Sequence, residues 1–252
     1  MSTKSRPIQH RIIRHLREWH RKLGIFAAFF LIFLSVTGIA LNHTNLLQLA
    51  HQPISNGILL DHYGIKSAQD IRYFNDNELS VTDNFVWLND VLLLESDTPI
   101  ISIGQFQQYY IVATTKQLHI YDLAGELVDR IDQMTGLPAE IQAVALTDNN
   151  LLINTELGYF QTDINLFEWQ SIATLIEPTW LMGNDVEPTI LESANQRYRS
   201  QFLTLERIIV DAHSGRIFGN FGVIFMDIVA IMLILLSLSG IYIWIRYAKA
   251  KR

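Results

Sequence analysis

Two apolar runs decide the fold of this chain: LGIFAAFFLIFLSVTGIAL at residues 23–41 and FGVIFMDIVAIMLILLSLSGIYIWI at residues 221–245. The second run contains one charged residue, Asp227, and the first contains none. A helix needs about 20 apolar residues to cross a hydrocarbon core about 30 Å thick. The two runs therefore predict transmembrane helices over residues 23–42 and 220–245 of the 252-residue chain.

The first run follows a basic segment, as a cleaved signal sequence would. Its length exceeds the apolar core of about 7–15 residues that signal peptides have, and Asn-His-Thr-Asn-Leu-Leu after Leu41 offers no small-x-small cleavage site. We therefore expect an uncleaved signal-anchor. Residues 8–22, with Ile12, Leu16 and Trp19 at helical spacing, predict a basic amphipathic helix. This helix either lies at the membrane interface or continues the first membrane helix.

Charge predicts the orientation. Residues 1–22 carry seven Lys and Arg against one acid, and residues 246–252 carry four and no acid. The segment between the two runs has 8 Lys and Arg against 23 Asp and Glu. Because excess Lys and Arg mark cytoplasmic flanks, we expect both basic termini in the cytoplasm and residues 43–219 on the far side. The basic residues lie where topology requires them, so they do not indicate nucleic-acid binding.

The chain has no cysteine. This excludes disulfides, thiol redox couples, cysteine-ligated clusters and thioether-attached haem. A segment of this length can bury a core without such cross-links.

The segment between the runs reads as short strands rich in β-branched and aromatic residues. The predicted strands lie at residues 85–88, 91–94, 109–113, 118–121, 151–154, 159–162 and 207–210, with turn signals at 124–125, 148–150 and 214–215. A helix is predicted near residues 193–202. The predicted fold class is a membrane protein with two antiparallel transmembrane helices and a mainly β extracytoplasmic domain, in the form of an antiparallel sheet, an α+β module or propeller-blade-like units.

A faint repeat supports the last of these forms. The segment YYIVATTKQLHIYD, which ends at Asp122, resembles NLLINTELGYFQTD, which ends at Asp163, at an offset of 41 residues. Offsets of this size are typical of propeller blades. Two or three copies cannot close a propeller, so we expect stacked antiparallel sheet units.

The two membrane runs share a pattern of hydroxyl and small residues. It reads Ser35-Val-Thr37-Gly38 in the first run and Ser237-Leu-Ser239-Gly240 in the second. Small residues let helices approach closely in lipid, and hydroxyls bond across or back to their own helix. Because the helices run antiparallel, each pattern faces the other end of the partner helix or another subunit. We expect Gly24 level with Gly240, and Gly38 level with Gly222.

Asp227 lies about 9 Å inside the second run, at 1.5 Å per residue. An ionisable group inside a membrane is expected to have a function and a partner. The Ser35 and Thr37 hydroxyls lie at a similar depth, so helix pairing and proton or ion handling both remain open.

Several segments together resemble the PepSY-associated transmembrane family. They are WHRKLG at residues 19–24, SVTGIALNH at 35–43, LLDHYGI at 59–65, ERIIVDAHSGRIFG at 206–219 and LSGIYIW at 238–244. The resemblance implies a bacterial inner-membrane protein with a periplasmic domain, and a PepSY-like hairpin near residues 206–219. Larger members include siderophore-iron reductases that carry haem between membrane histidines. PepSY modules elsewhere are associated with peptidase inhibition and sensing.

Three histidines are candidate ligands of a b-type haem or a metal. His43 and His213 flank the outer ends of the two runs, where topology places both near one membrane face. The alternative is that one of them bonds a headgroup and the other caps a turn. His20 lies at the inner face. It is either a ligand at a site that would need His15, another subunit or a dimer, or a histidine that anchors the helix at the membrane interface.

Three functions follow from these residues. The first is an accessory inner-membrane subunit with a periplasmic sensing or binding domain in a metal, iron or electron-transfer system. The second is a haem-binding redox protein that is active as a homodimer or with another membrane subunit. The third is a periplasmic peptidase modulator. The outer segment contains no nucleophile elbow, phosphate loop or metal-binding histidine spacing, which argues against an enzyme in that domain.

Overall fold

The computed structural model describes residues 6–74, 78–147, 149–163, 168–173, 178–184 and 187–250. Lys4, Asp148, Lys251 and Arg252, which entered the predictions above, lie outside these residues. The chain divides into a membrane unit, Met1–Ile54 with Leu203–Arg252, and a β unit, Ser55–Phe202. In chain order the helices are α1 (Arg6–Asn42), α2 (Gly57–His62), α3 (Pro188–Ser200), α4 (Leu205–Ser214) and α5 (Gly219–Ala250), with 3-10 turns at Leu49–His51 and Arg216–Phe218.

Two helices of the membrane unit are long and apolar enough to cross a membrane. Their candidate spans are Arg17–Asn42 in α1, with 26 residues, and Arg216–Arg246, mostly in α5, with 31 residues. Only 6% and 11% of their apolar windows are buried within the protein. The core helix of a soluble protein would be mostly buried, so these exposed apolar faces agree with a lipid environment. The predicted pair of membrane helices is confirmed at the level of length and composition.

The basic lead-in segment belongs to the first membrane helix. α1 runs without a break from Arg6 to Asn42, so residues 8–22 continue the span as one helix. This is the second of the two alternatives that the sequence left open.

α1 and α5 run antiparallel. His20 near the start of α1 contacts Ser239 near the end of α5, and Phe30 packs edge-on against Phe225 at 5.4 Å between ring centroids. The earlier residue of α1 contacts the later residue of α5, so the two helices point in opposite directions. Phe30 also packs edge-on against Phe26 and Phe29 of its own helix, so it belongs to a cluster of three rings on α1.

The predicted strand at residues 207–210 and the PepSY-like hairpin near 206–219 are wrong, because Leu205–Ser214 form helix α4 and Arg216–Phe218 form a 3-10 turn. The Thr204 side chain accepts a hydrogen bond from the Arg207 N–H and caps the start of α4. Gly215, with φ 79°, ends α4 in the left-handed conformation that favours glycine. The Ile-Ile-Val run at residues 208–210 suggested a strand, but the Thr204 cap and the Gly215 stop are the signals with which a helix begins and ends.

The β unit contains twelve strands in the described residues, arranged as three four-stranded antiparallel sheets in simple sequence order. The first sheet is β1 (Ile71–Phe74), β2 (Leu79–Thr82), β3 (Phe85–Leu88) and β4 (Val91–Glu95). The second is β5 (Ile100–Phe106), β6 (Tyr109–Thr114), β7 (Leu118–Asp122) and β8 (Leu127–Ile131). The third is β9 (Ile141–Leu146), β10 (Leu151–Thr155), β11 (Gly158–Thr162) and β12 (Gln170–Ile172).

The repeat predicted from the sequence is confirmed as two equivalent hairpins. One copy forms β6 and β7, the second and third strands of their sheet, and the other forms β10 and β11, the second and third strands of theirs. Apolar side chains of these hairpins form the core, including Ile111, Leu118, Leu151 and Ile153. The prediction of antiparallel sheet units is therefore confirmed, and two of the three sheets share the repeated hairpin.

Tight turns connect the strands. Asp83 and Asn89 both have φ 52°, between β2 and β3 and between β3 and β4 respectively. Asp and Asn tolerate this left-handed conformation better than other non-glycine residues, so they suit two-residue hairpin turns. The helix predicted near residues 193–202 is α3 and begins five residues earlier, with Pro188 in its first turn.

Candidate functional site: two histidines at opposite ends of the helix pair

The first histidine site consists of His20, Ser239 and Gly240. His20 Nδ1 lies 2.9 Å from Ser239 Oγ, across the contact between α1 and α5. The Ser239 hydroxyl donates to the Leu236 carbonyl oxygen of its own helix at 3.0 Å. A Cβ added at Gly240 would lie 3.3 Å from His20 Cε1, so the ring occupies the space that a side chain would need.

The second histidine site consists of His213, Thr37 and Gly38. His213 Nδ1 lies 2.7 Å from Thr37 Oγ1, across the contact between α4 and α1. The Thr37 hydroxyl donates to the Phe33 carbonyl oxygen at 2.8 Å. A Cβ at Gly38 would lie 3.7 Å from His213 Cε1. The two sites thus repeat one arrangement of ring, hydroxyl and glycine.

Each hydroxyl oxygen lies within hydrogen-bond distance of two groups, a backbone carbonyl oxygen of its own helix and the Nδ1 of the histidine. A carbonyl cannot donate and a hydroxyl has one hydrogen, so both contacts are hydrogen bonds at once only when the hydroxyl donates to the carbonyl. The hydroxyl oxygen is then the acceptor, so the imidazole Nδ1 carries the hydrogen and donates it. In the neutral ring this leaves the Nε2 lone pair for a ligand. A metal-bound histidine has the same proton arrangement when it binds through Nε2.

The arrangement explains the shared pattern in the two runs. In each run the Ser/Thr-Gly pair receives a histidine that comes from the other half of the membrane unit. Thr37 is 17 residues beyond His20, which places the two sites about 26 Å apart along α1. This rise is close to the thickness of the hydrocarbon core, about 30 Å. The two histidines therefore lie near the two ends of the membrane-crossing pair.

α4 holds the second site in place through several contacts. Thr44, just after α1, donates to Glu206 Oε1 at 2.9 Å. Asp211 is buried, with its carboxylate 2.8 Å from Arg207 Nε. A Cβ at Gly222 would lie 1.9 Å from the Gly215 carbonyl oxygen, so α5 can approach the end of α4 only with glycine at this position. These contacts fix the helix that carries His213 against α1 and α5.

The profile of the PepSY-associated TM region family matches residues 4–246, which is nearly the whole chain. The chain belongs to the PepSY-associated TM family. Among curated proteins none matches the chain.

Solved structures resemble parts of this PepSY-associated chain at low identity. The N-terminal domain of Nup159 is 17% identical, with a TM-score of 0.32, over 43% of this chain and 34% of that one. Hsv2 of Kluyvelomyces marxianus is 12% identical, with a TM-score of 0.27, over 42% of this chain and 38% of that one. The PepSY-associated chain thus spans little more than a third of either solved structure.

Among the described residues no hydrogen bond joins His43 to His213. His43 is exposed and lies one residue beyond the end of α1, whereas His213 packs against Thr37 and Gly38, more than one turn earlier. The pairing of these two histidines as ligands of one haem or metal stays a prediction. The contact that the sequence did not indicate is the one between His213 and the hydroxyl of Thr37.

Asp227 does not have the partners expected from its depth. It is exposed on α5, and in the described residues neither Ser35 nor Thr37 bonds to it. The Thr37 oxygen is already engaged by His213 and the Phe33 carbonyl. Ser35 and Ser237 are exposed, and Ser237 donates to the Leu233 carbonyl oxygen of its own helix at 2.9 Å. The second position of each hydroxyl pair, Thr37 or Ser239, is therefore the one that contacts a histidine.

The glycines of the membrane unit contact histidine rings and backbone. A Cβ added at Gly24 would meet nothing within 4 Å. Gly38 contacts the His213 ring, Gly240 contacts the His20 ring, and Gly222 contacts the Gly215 carbonyl oxygen. At each end of the helix pair, a glycine therefore lies against a histidine.

An apolar groove of about 680 Å³ lies beside His20. Its walls come from both α1 and α5 and include Trp19, Leu23, Met232 and Tyr242. Ligand sites are typically apolar clefts of about 300–1,000 Å³ with a few polar groups, and here His20 and Ser239 are the polar groups.

The donor set of this PepSY-associated chain suits haem better than a bare metal ion. In the described residues no group of three or more His, Cys, Asp or Glu side chains could hold a metal ion. A haem iron already has four porphyrin nitrogens and needs only one or two axial ligands from protein. A single histidine with Nδ1 anchored, beside an apolar groove, meets that need.

Proposed function

We propose that the chain is an accessory subunit of an electron-transfer or iron-handling system in the bacterial inner membrane, and that His20 and His213 would each hold a b-type haem through Nε2. The observation that carries the proposal is the repeated arrangement at both ends of the helix pair, in which Nδ1 donates to a hydroxyl and Nε2 is available. Haem bound there would supply one-electron transfer.

The residues of the chain have separate tasks in this proposal. The hydroxyls of Ser239 and Thr37 hold each ring in one orientation and fix its proton on Nδ1. Gly240 and Gly38 give the rings room against the neighbouring helix. The groove beside His20 offers an apolar surface that excludes water, which supports a cofactor with a large apolar face.

Each site needs a second subunit if the iron takes two protein ligands. At the first site the other described histidine is His15, whose Nδ1 lies 3.8 Å from Glu18 on its own helix. Five residues separate His15 from His20, which turns it about 140° around α1. We therefore propose that the second ligand comes from a homodimer partner or another membrane subunit.

The charge pattern supports the topology of the proposal, with both termini in the cytoplasm and the β unit in the periplasm. Reporter fusions after Arg252 and in the turn at Ala124–Gly125 test it. A periplasmic reporter should be active only in the turn. Activity of a cytoplasmic reporter in the turn would overturn the topology.

The haem assignment is tested by purifying the protein in detergent after haem-replete expression and recording the reduced-minus-oxidised absorbance spectrum. We expect b-type bands, with His20→Ala and His213→Ala each losing part of the signal. His43→Ala is the matched control and should leave the bands unchanged. A colourless wild-type protein, or bands that survive the double substitution of His20 and His213, would eliminate the proposal.

A further inference from the structure

His119 in the β unit is a buried histidine with an unexplained polar atom. It lies on β7 with 6% of its surface exposed, and its Nδ1 has no hydrogen-bond partner among the described residues. Buried polar atoms almost always have a partner in native proteins, so an exception indicates a bound molecule or a functional role. His119 belongs to the β unit, whereas both histidine sites described above belong to the membrane unit.

A pocket of about 300 Å³ opens onto this ring. Its lining includes the segment Leu94–Thr98, where β4 leads into β5, and the turn at Lys116 and Gln117. His119 and Arg130 complete the lining. These two residues are directly opposite in the pairing of β7 with β8, which places their side chains on one face of the sheet.

The lining of the pocket contains both cationic and acidic side chains. Burial lowers the pKa of His119 below its ordinary value, and the Arg130 cation lowers it further. The ring is therefore neutral at pH 7, and the charge that lowers its pKa is that of Arg130. His119 and Arg130 offer an imidazole and a cation to the pocket, and the segment Leu94–Thr98 contributes two acids.

We propose that this pocket binds the carboxylate group of a small ligand between His119 and Arg130. A guanidinium matches the two oxygens of a carboxylate, and an imidazole N–H can donate to one of them. Lys116 adds a second positive charge at the mouth of the pocket. The acids Glu95 and Asp97 disfavour a doubly charged anion such as phosphate, but they suit a ligand that also carries an ammonium group.

The carboxylate could come from a free small acid or from an amino acid or the C-terminus of a peptide. Both sources would place a carboxylate between His119 and Arg130, but only the amino acid or peptide also carries an ammonium group. Acetate represents the first, and glycine and glycylglycine represent the second. A tighter affinity for glycine or glycylglycine than for acetate would assign the ammonium to the acidic side of the pocket.

The test uses NMR of the full-length protein with isotope-labelled histidine, in detergent micelles. The resonance that is missing in His119→Gln identifies His119. Titration with acetate, glycine and glycylglycine should give a saturable shift of this resonance. Bound carboxylate should also raise the pKa of His119, because a nearby anion favours the protonated ring. Binding should consequently tighten as the pH falls through that pKa.

Two variants separate a built site from a general anion effect. Arg130→Gln removes an exposed cation and should weaken binding about tenfold or more, since a charge-assisted hydrogen bond is lost. Lys66→Gln removes another exposed cation of the β unit, outside the pocket, and should change nothing. Non-saturable shifts that are equal in the wild type and Arg130→Gln, or tighter binding of inorganic phosphate than of any carboxylate, would overturn the proposal. The readout is independent of haem, so it stands or falls separately from the proposed function.

Discussion

The hydrogen bond between Thr37 and His213 gives the sharpest test of the second histidine site. Thr37→Val keeps the shape of the side chain and removes the oxygen that accepts from Nδ1. The lost bond is worth about 0.6 kcal/mol on average in membrane proteins, and up to about 1.7 kcal/mol. An unsatisfied buried donor costs about 1–3 kcal/mol, but His213 is only half-buried, so water can partly replace Thr37. We expect Thr37→Val to destabilise the helix pair by about 1 kcal/mol.

A double-mutant cycle isolates the pair. His213→Phe keeps a ring and removes both nitrogens, so the coupling between the two substitutions should be about 0.6–1.7 kcal/mol. The chain has no cysteine, so introduced cysteines at Leu46 and Phe218 can carry a fluorophore pair that reports separation of the helices. Both positions are exposed, at 80% and 74%. Titration with sodium dodecyl sulfate then gives the unfolding free energy of each variant.

Ser237→Ala is the matched control for this cycle. Ser237 donates to the Leu233 carbonyl oxygen of its own helix and is exposed, so its coupling to His213 should be zero within error. Independent sites add within about 0.3–0.5 kcal/mol. If the coupling of Thr37 with His213 falls inside that margin, the hydrogen bond does not hold the ring and the proton assignment fails.

Three further outcomes follow from the structure. Gly240→Ala should weaken the haem bands assigned to His20, because its Cβ would lie 3.3 Å from His20 Cε1, whereas Gly38→Ala, with its Cβ 3.7 Å from His213 Cε1, should be tolerated. Equal effects of the two substitutions on the difference spectra would contradict this expectation. Asp211→Asn should lower the midpoint of thermal unfolding, because the buried side chain that pairs with Arg207 loses its charge, which costs about 1–2 kcal/mol of stability. An unchanged midpoint would argue that this ion pair does not stabilise the protein. Because the pKa of His119 is lowered in the folded protein, the unfolded chain binds more protons between that pKa and 6.5, and the unfolding free energy of the β unit should rise with pH through this window. If His119→Gln retains this pH dependence, His119 is not its cause.

The sequence was sufficient for the large features because they depend on local patterns. Uninterrupted apolar runs predict membrane helices whatever they pack against, and the hairpins of β6 with β7 and β10 with β11 carry strong alternation and turn signals. The strand predicted at residues 207–210 failed because β-branched residues favour strands on average. The Thr204 cap and the Gly215 stop overrode that average locally.

The histidine sites could not be predicted because they depend on the register between distant helices. His20 and Ser239 are 219 residues apart, and a shift or rotation of one helix by a single residue would separate them. The signals that were available were the repeated Ser/Thr-Gly pair and the expected level of Gly24 with Gly240. His20 lies one turn before Gly24. An exact alignment of the two helices along their axes could have placed His20 beside Gly240, but positions calculated from the average helix rise are not accurate to one turn.

The two histidine sites differ in their distance along the chain from the boundary between the two units. The chain crosses this boundary twice, at residues 54–55 and 202–203. Within the membrane unit the two segments next to the crossings are hydrogen-bonded to each other, since the Ile54 N–H donates to the Leu203 carbonyl oxygen at 2.9 Å and the Leu205 N–H to the Gln52 carbonyl oxygen at 2.9 Å. α4 starts directly after this junction and carries His213, whereas His20 lies in the N-terminal half of α1. Because these two backbone hydrogen bonds hold the start of α4, they also hold the helix that presents His213 to Thr37.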